Sequence, residues 1–228
     1  MSCSILFFHA FLGSVALSAE ARQQQKQQQQ LYNNLYRLGY HSNSSFSHST
    51  GLVRAVAADR SVRTILDFGC SHGLAVSRLW GLGKAASGYD VSQVAVIRAA
   101  ALRRSPRRSC LPSVGCFFSD PDALQRLAQP DASVDAVLSS DVLEHLVPSQ
   151  VNATLDLLTK IARRRIFVKI ASTKEYDRTH LNRLPHMSRP PALHATLRPF
   201  AWWIAAFAWR GFGVQKRLSA DSAVFFKK

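Results

Sequence analysis

The sequence predicts an α/β fold: a doubly wound, mostly parallel sheet of seven strands with an antiparallel hairpin at its C-terminal end. Three observations predict it. Short apolar runs alternate with segments of helical periodicity from residue 61 onward, the pattern of parallel strands joined by crossover helices. The stretch Asp67-Phe68-Gly69-Cys70-Ser71-His72-Gly73 carries the first strand through glycines into a helix. Acids stand at three successive strand ends, Asp67, Asp90 and Asp120.

The elements follow in order. Leu31 to Leu38 reads as a short helix with aromatic contacts at Tyr32 and Tyr36, and Thr50 to Arg60 as a second helix. Strand one is Arg63 to Phe68, followed by a helix from His72 to Trp80 that Gly81 and Gly83 stop. Strand two is Ala85 to Tyr89, with a helix from Ser92 to Arg103 behind it. Pro106 and Pro112 mark a loop before strand three, Val114 to Phe118, and a short helix near Asp122 to Ala128. Strand four is Val134 to Leu138. Pro148 opens a helix to about Ala162 with Val151, Leu155, Leu158 and Ile161 on one face. Strand five is Arg165 to Ile170. A polar segment, Ala171 to Ala195, leads to a helix from Pro199 to Trp209. Val214 to Leu218 and Ala223 to Phe226, joined by a short turn, form the antiparallel hairpin.

Composition bounds the class. The 228 residues are 47% apolar and 19% charged, which describes one globular domain rather than a disordered chain. The formal charge of +15 comes largely from arginine, in pairs and triplets such as Arg103-Arg104 and Arg163-Arg164-Arg165. It fits a solvated basic surface, and it leaves RNA or another acidic partner open. Residues 1–21 contain an apolar stretch, Ile5 to Ala19, and an A-x-A-like site, the pattern of a targeting segment, although no Lys or Arg precedes it. The protein is therefore expected to be cytoplasmic, or secreted or organelle-bound if that segment acts. The run is too short to span a bilayer. Residues 22–30 are glutamine-rich and read as a disordered spacer; residues 31–60 read as a helical extension and 61–228 as the α/β domain. Cys110 and Cys116 can pair only in an oxidising compartment, and the absence of C-x-x-C speaks against structural zinc.

The glycine turn identifies a cofactor class. The dinucleotide fingerprint G-x-G-x-x-G is missing. Asp67 stands two residues before Gly69, where its charge would repel a pyrophosphate and suits a cationic, amino-acid-like group. The stretch resembles the first motif of the class I S-adenosylmethionine-dependent methyltransferases, approximately [DE]-x-G-x-G-x-G, with Ser71 in place of the middle glycine. The resemblance, to the type 11 kind, implies S-adenosylmethionine as cofactor and a Rossmann-like sheet. It implies that Asp67 and Gly69 hold the methionine part, Asp90 the ribose and Asp120 the adenine, with Asp122 as competitor. Cys70, Ser71, Gly73 and Val91 would line the cofactor beside them. Ser140 and Asp141 would complete the pocket.

The segment from Asp135 to Leu146, which contains Asp141-Val-Leu-Glu144-His145, resembles the fourth-strand motif of the same enzymes. On a helix, Asp141, Glu144 and His145 would share a face. Related families use an E-x-x-E-H version with a distant histidine to hold a divalent metal, for which His194 is the best candidate here. Asp141 in place of the first Glu shortens the reach, so a metal is possible rather than expected. Otherwise Glu144, His145 and His194 serve the acceptor side, with His145 a candidate general base. His180 and His186 read as loop histidines. The expected function is methyl transfer to a small-molecule acceptor. The alternatives are methylation of small or other RNA, and RNA binding by a domain with a vestigial pocket. Finally, Phe200, Trp203, Ile204 and Phe207 form one apolar face of the Trp-rich helix. The expectation is that this face covers the sheet and the N-terminal helix covers Trp202 and Trp209.

Overall fold

A computed structural model describes residues 19–40, 49–101, 109–172 and 193–228. Residues 1–18 of the candidate targeting segment, and His180 and His186, lie outside the described residues. Seven strands form one sheet: β1 Thr64–Phe68, β2 Ala85–Tyr89, β3 Phe117–Phe118, β4 Val134–Ser140, β5 Ala162–Lys169, β6 Phe212–Arg217 and β7 Ser222–Lys227. Their order is β3-β2-β1-β4-β5-β7-β6. β1 to β5 run parallel, and β7 lies antiparallel between β5 and β6. The expected architecture and the terminal hairpin are both present. The order reverses between β1 and β4, which sets a crevice at their carboxyl ends.

Seven α-helices accompany the sheet among the described residues: α1 Ala19–Arg37, α2 Thr50–Ala58, α3 Leu74–Gly81, α4 Gln93–Ala101, α5 Pro121–Arg126, α6 Pro148–Ile161 and α7 Phe200–Ala208. Alternate residues of each strand feed opposite faces of the sheet, as the period of two requires. Ile65, Ala136, Leu138 and Phe167 pack with α2 and α3 on one face. Leu66, Phe68, Val137, Ile166 and Val168 pack with α5, α6 and α7 on the other. The buried Trp80 indole donates to the Ala86 carbonyl at 2.9 Å, so its one polar group is satisfied inside the core.

Three expectations are corrected. The glutamine run at 22–30 is helical, part of the 19-residue α1. Glutamine is a good helix former, and the helix is anchored downstream by Leu35, Tyr36 and Tyr40, which are buried against Ala95 and Leu193. Strand three is cut to Phe117–Phe118 because Leu111 pairs back with Gly115, which has φ +72°, in a turn closed by a Cys110–Cys116 disulfide. The inner face of α7 does cover the sheet through Phe200, Trp203 and Phe207, but α1 lies elsewhere, against α4. Trp202 and Trp209 therefore face outward.

Candidate cofactor and acceptor site

The turn after β1 is built from left-handed backbone. Gly69, Ser71 and Gly73 have φ of +83°, +49° and +75°. Gly69 and Gly73 take these values freely, whereas Ser71 does so at a cost of roughly 1–2 kcal/mol. The position where the motif departs from glycine is thus one where the backbone favours glycine. Space is as tight as conformation. A Cβ on Gly69 would lie 2.2 Å from Val142, and one on Gly73 would lie 2.6 Å from Phe117. The N–H groups of Gly69 and Cys70 both donate to the Tyr89 carbonyl, at 2.8 and 2.9 Å, which sews the turn to the end of β2. The Cys70 thiol is buried, and burial pushes its pKa up, so it serves packing rather than nucleophilic chemistry.

Asp90 completes the stitch. Its two carboxylate oxygens accept the N–H groups of Ser71 and Ser92, each at 2.9 Å. Val91, between them, is half-buried. Asp67 and Asp90 are both buried. Burial pushes Asp90 up to about 6, against the pull of those two donors. Burial, with the Asp90 charge added, pushes Asp67 up to about 7. Two carboxyl groups sharing one dry corner beside a glycine turn favour a ligand that brings positive charge and hydroxyl donors.

Helix α1 closes this corner, which sequence reasoning missed. Tyr36 is buried and hydrogen-bonded to the Ser71 side chain. The Asn33 carbonyl oxygen accepts from the Ser92 hydroxyl at 2.8 Å. Tyr32 reaches His145, its hydroxyl 2.9 Å from Nδ1. The available signal was the spacing of Tyr32 and Tyr36, which puts two phenols on one helical stripe.

The loop after β4 holds the remaining candidates. Asp141 has φ +55°, so no helix runs through it, and Leu143–His145 is a single 3₁₀ turn. The expected common face of Asp141, Glu144 and His145 is therefore absent. Asp141 instead pairs with Lys169 Nζ at 2.7 Å and accepts from the Ser140 hydroxyl at 3.0 Å. Glu144, His145 and His194 do come together, with ligand-type atoms all within 4.8 Å of one another. The imidazoles of His145 and His194 meet edge to face, 4.9 Å between centroids. His194 is brought there by Thr196, whose N–H donates to the Glu144 carbonyl at 2.9 Å and whose hydroxyl donates to the Leu146 carbonyl at 2.6 Å. Glu144 is fully buried; Oε1 accepts the Ala171 N–H at 3.0 Å, and Oε2 finds no hydrogen-bond partner among the described residues. Burial pushes its carboxyl up to about 8.

Asp120 follows the end of β3, and its charge, like that of Asp90, acts on the buried Tyr89 phenol. Its side chain caps α5 by accepting the Asp122 N–H at 2.9 Å, and it faces Arg126 at 3.5 Å with half its surface in solvent. The cap accounts for its place before Pro121.

Residues 66–164 match the family model described as "Methyltransferase domain". The sheet superposes on magnesium protoporphyrin IX methyltransferase from Synechocystis PCC 6803 with bound SAH. That pair has 18% identity and a TM-score of 0.59, covering 90% of this chain and 99% of the other. Over residues 66–164 the chain resembles a methyltransferase domain, and its fold is that of solved S-adenosylmethionine-dependent methyltransferases. The methyltransferase fold extends past the matched segment. 1,6-Didemethyltoxoflavin-N1-methyltransferase from Burkholderia thailandensis, with its acceptor and S-adenosylhomocysteine bound, is 14% identical. It has a TM-score of 0.62 and covers 95% of this chain and 93% of its own. No curated protein sequence matches the chain. In the methyltransferase frame the glycine turn, Asp67 and Asp90 lie at the crevice between β1 and β4, and the Glu144–His145–His194 group borders it from the β4 side.

Proposed function

We propose that the protein transfers the methyl group of S-adenosylmethionine to a small-molecule acceptor, with His145 as the group that takes the acceptor's proton. The observation that carries the reading is the buried Asp67–Asp90 pair beside the glycine turn. S-adenosylmethionine, when bound, supplies an electrophilic methyl on a sulfonium and a cationic amino group. Asp67 meets that positive charge, and Asp90 accepts from the ribose hydroxyls while holding the turn in shape. Ser71 and Gly73, at the start of α3, set the backbone close to the methionine part. Much of the domain's task is positional: to hold methyl and nucleophile in line and to keep water out. Tyr36 and α1 serve the second purpose by covering the turn.

On the acceptor side, the Tyr32 hydroxyl lies 2.9 Å from His145 Nδ1. In the tautomer whose Nδ1–H donates to the Tyr32 oxygen, Nε2 is the nitrogen that takes a proton. The acceptor's lone pair forms the new bond to the methyl carbon as the carbon–sulfur bond breaks, and the acceptor proton passes to His145 Nε2. His194 packs its ring against His145 and fixes the ring plane. Two relatives in fold are named for small-molecule acceptors, a porphyrin and a toxoflavin precursor, which supports that substrate class.

A second reading adds a divalent cation. The unpartnered Oε2 of Glu144, with His145 and His194 beside it, is a donor set that a borderline divalent ion accepts. A labelled-methyl screen against extract fractions, with and without EDTA, separates the readings. Transfer to the small-molecule fraction that EDTA leaves intact supports the proton-transfer reading, and loss with EDTA supports the metal. Transfer confined to RNA overturns the small-molecule acceptor. Salt-sensitive RNA binding with no stabilisation by S-adenosylhomocysteine overturns the enzyme reading.

A further inference from the structure

We propose that the outward face of α7 is a docking surface for an anionic lipid bilayer. From Phe200 to Trp209 the sequence FAWWIAAFAW contains no charged or hydrogen-bonding side chain other than the indoles. Phe200, Trp203 and Phe207 account for the buried face. The outward face is therefore apolar as well: Ala201, Trp202, Ala205, Ala208 and Trp209 are all exposed, and Trp209 shows 90% of its surface to solvent. A surface helix of a globular domain normally turns polar residues outward, and a contiguous exposed apolar patch marks an interaction site.

The borders of this face say what covers it. Arg198, exposed, sets its guanidinium 5.7 Å from the Trp202 ring centroid at the N-terminal end. At the other end, the Lys228 N–H donates to the Gly211 carbonyl at 2.8 Å, which brings the exposed Lys227 and Lys228 beside the helix terminus. Asp156, alongside in α6, is paired with Arg210 at 2.6 Å. Tryptophans framed by cations match the interfacial zone of a bilayer, where indole sits at headgroup depth and Arg or Lys meets anionic lipid. Nine residues rise only about 14 Å, so the helix lies along the surface rather than crossing it. Among the described residues no helix is long and apolar enough to cross. A groove of about 620 Å³ between α7 and α6 runs beside the helix, with Trp202 and Trp209 on one side and Asn152 and the Asp156–Arg210 pair on the other. The formal charge of +15 draws the whole protein to such a membrane and opposes seating a second copy of the chain on the same face.

The test uses the full chain and vesicles of phosphatidylcholine, alone or with phosphatidylserine. The wild type is expected to sediment with the anionic vesicles, less so at high salt, and brominated lipid should quench its tryptophan fluorescence. Trp202→Ala with Trp209→Ala is expected to lower the partition coefficient roughly tenfold, given the indole area removed. The double variant should keep its circular dichroism and its stabilisation by S-adenosylhomocysteine. Because that response reads the cofactor site, failure of the membrane proposal is distinguishable from failure of the functional reading. Equal sedimentation of wild type and a folded double variant overturns the proposal, since charge alone would then explain binding. Absence of sedimentation overturns it, as does a dimer in solution that the double variant dissolves. Should the double variant not fold, Trp209→Ser alone, at the most exposed position, carries the same comparison.

Discussion

The Tyr32 hydroxyl lies 2.9 Å from Nδ1 of His145, joining a helix that precedes the sheet to the loop after β4 across 113 positions of sequence. Under the proposed function, the contact makes α1 part of the acceptor wall as well as a cover for the glycine turn. It also gives His145 an orientation that its own 3₁₀ turn is too short to impose.

Tyr32→Phe removes the hydroxyl and keeps the ring, so the packing of Tyr32 near Tyr40 should persist. The expected result is a fall in kcat of roughly 10- to 100-fold, within the range of a disturbed general base. KM for S-adenosylmethionine should hold. A pH–rate profile that loses its histidine limb, with unchanged stabilisation by S-adenosylhomocysteine, is the readout. Unaltered kcat would remove His145 orientation from the mechanism.

The buried acids make stability depend on pH in an unusual direction. Asp67 and Asp90 are raised to about 7 and about 6 when folded, against ordinary values near 4 when unfolded. The folded state therefore binds more protons than the unfolded one over that interval. Their stabilising contribution is fully present below about pH 4 and is lost as pH rises through 6 and 7. The melting temperature of the ligand-free protein should fall between pH 5 and 8, while the added stabilisation by S-adenosylmethionine grows. Scanning fluorimetry across that range checks both trends, and a rising ligand-free curve would sink the account.

Asp67→Asn separates the two roles of that acid. At pH 8 the variant sheds a buried charge, and its ligand-free melting temperature should rise by roughly 2–4 °C, as about 1 kcal/mol gives in a chain this long. At pH 5, where Asp67 is already protonated, the rise should vanish. Stabilisation by S-adenosylmethionine should be lost at both. Asp90→Ala should also abolish the ligand response but should lower ligand-free stability, because Ser71 and Ser92 lose their acceptor.

What was legible in the sequence follows the range of the interactions. Strands one, two, four and five and the terminal hairpin were readable because apolar runs and turn residues are local signals. Asp67, Gly69 and Asp90 were readable as neighbours because the sheet topology alone brings strand ends together. Asp141 was misread because a residue at φ +55° breaks the helical spacing assumed for it, and no local feature of Asp141-Val142-Leu143 announces that. The contacts of Tyr32, Tyr36 and Asn33 depend on where α1 docks, which is a tertiary choice. The glutamine run misled because its composition suits both a solvated spacer and a helix, and the helix prevails where its downstream end is packed.

Gly69→Ala tests whether the turn is fixed by backbone conformation, by packing or by both. The added methyl would sit on a residue with φ +83° and only 2.2 Å from a Val142 methyl. The conformational part costs about 1–2 kcal/mol, and displacing a packed valine costs about 1–3 kcal/mol more. The variant should thus lose about 2–5 kcal/mol in urea unfolding with an unchanged m-value. Adding Val142→Ala clears the methyl from the path and should return the steric share only, leaving about 1–2 kcal/mol uncorrected. Full rescue would assign the glycine to packing against Val142, and no rescue would assign it to the left-handed backbone alone. Partial rescue is the expected outcome, because the close approach of β1 and β4 at the crevice requires both the positive φ and the missing side chain.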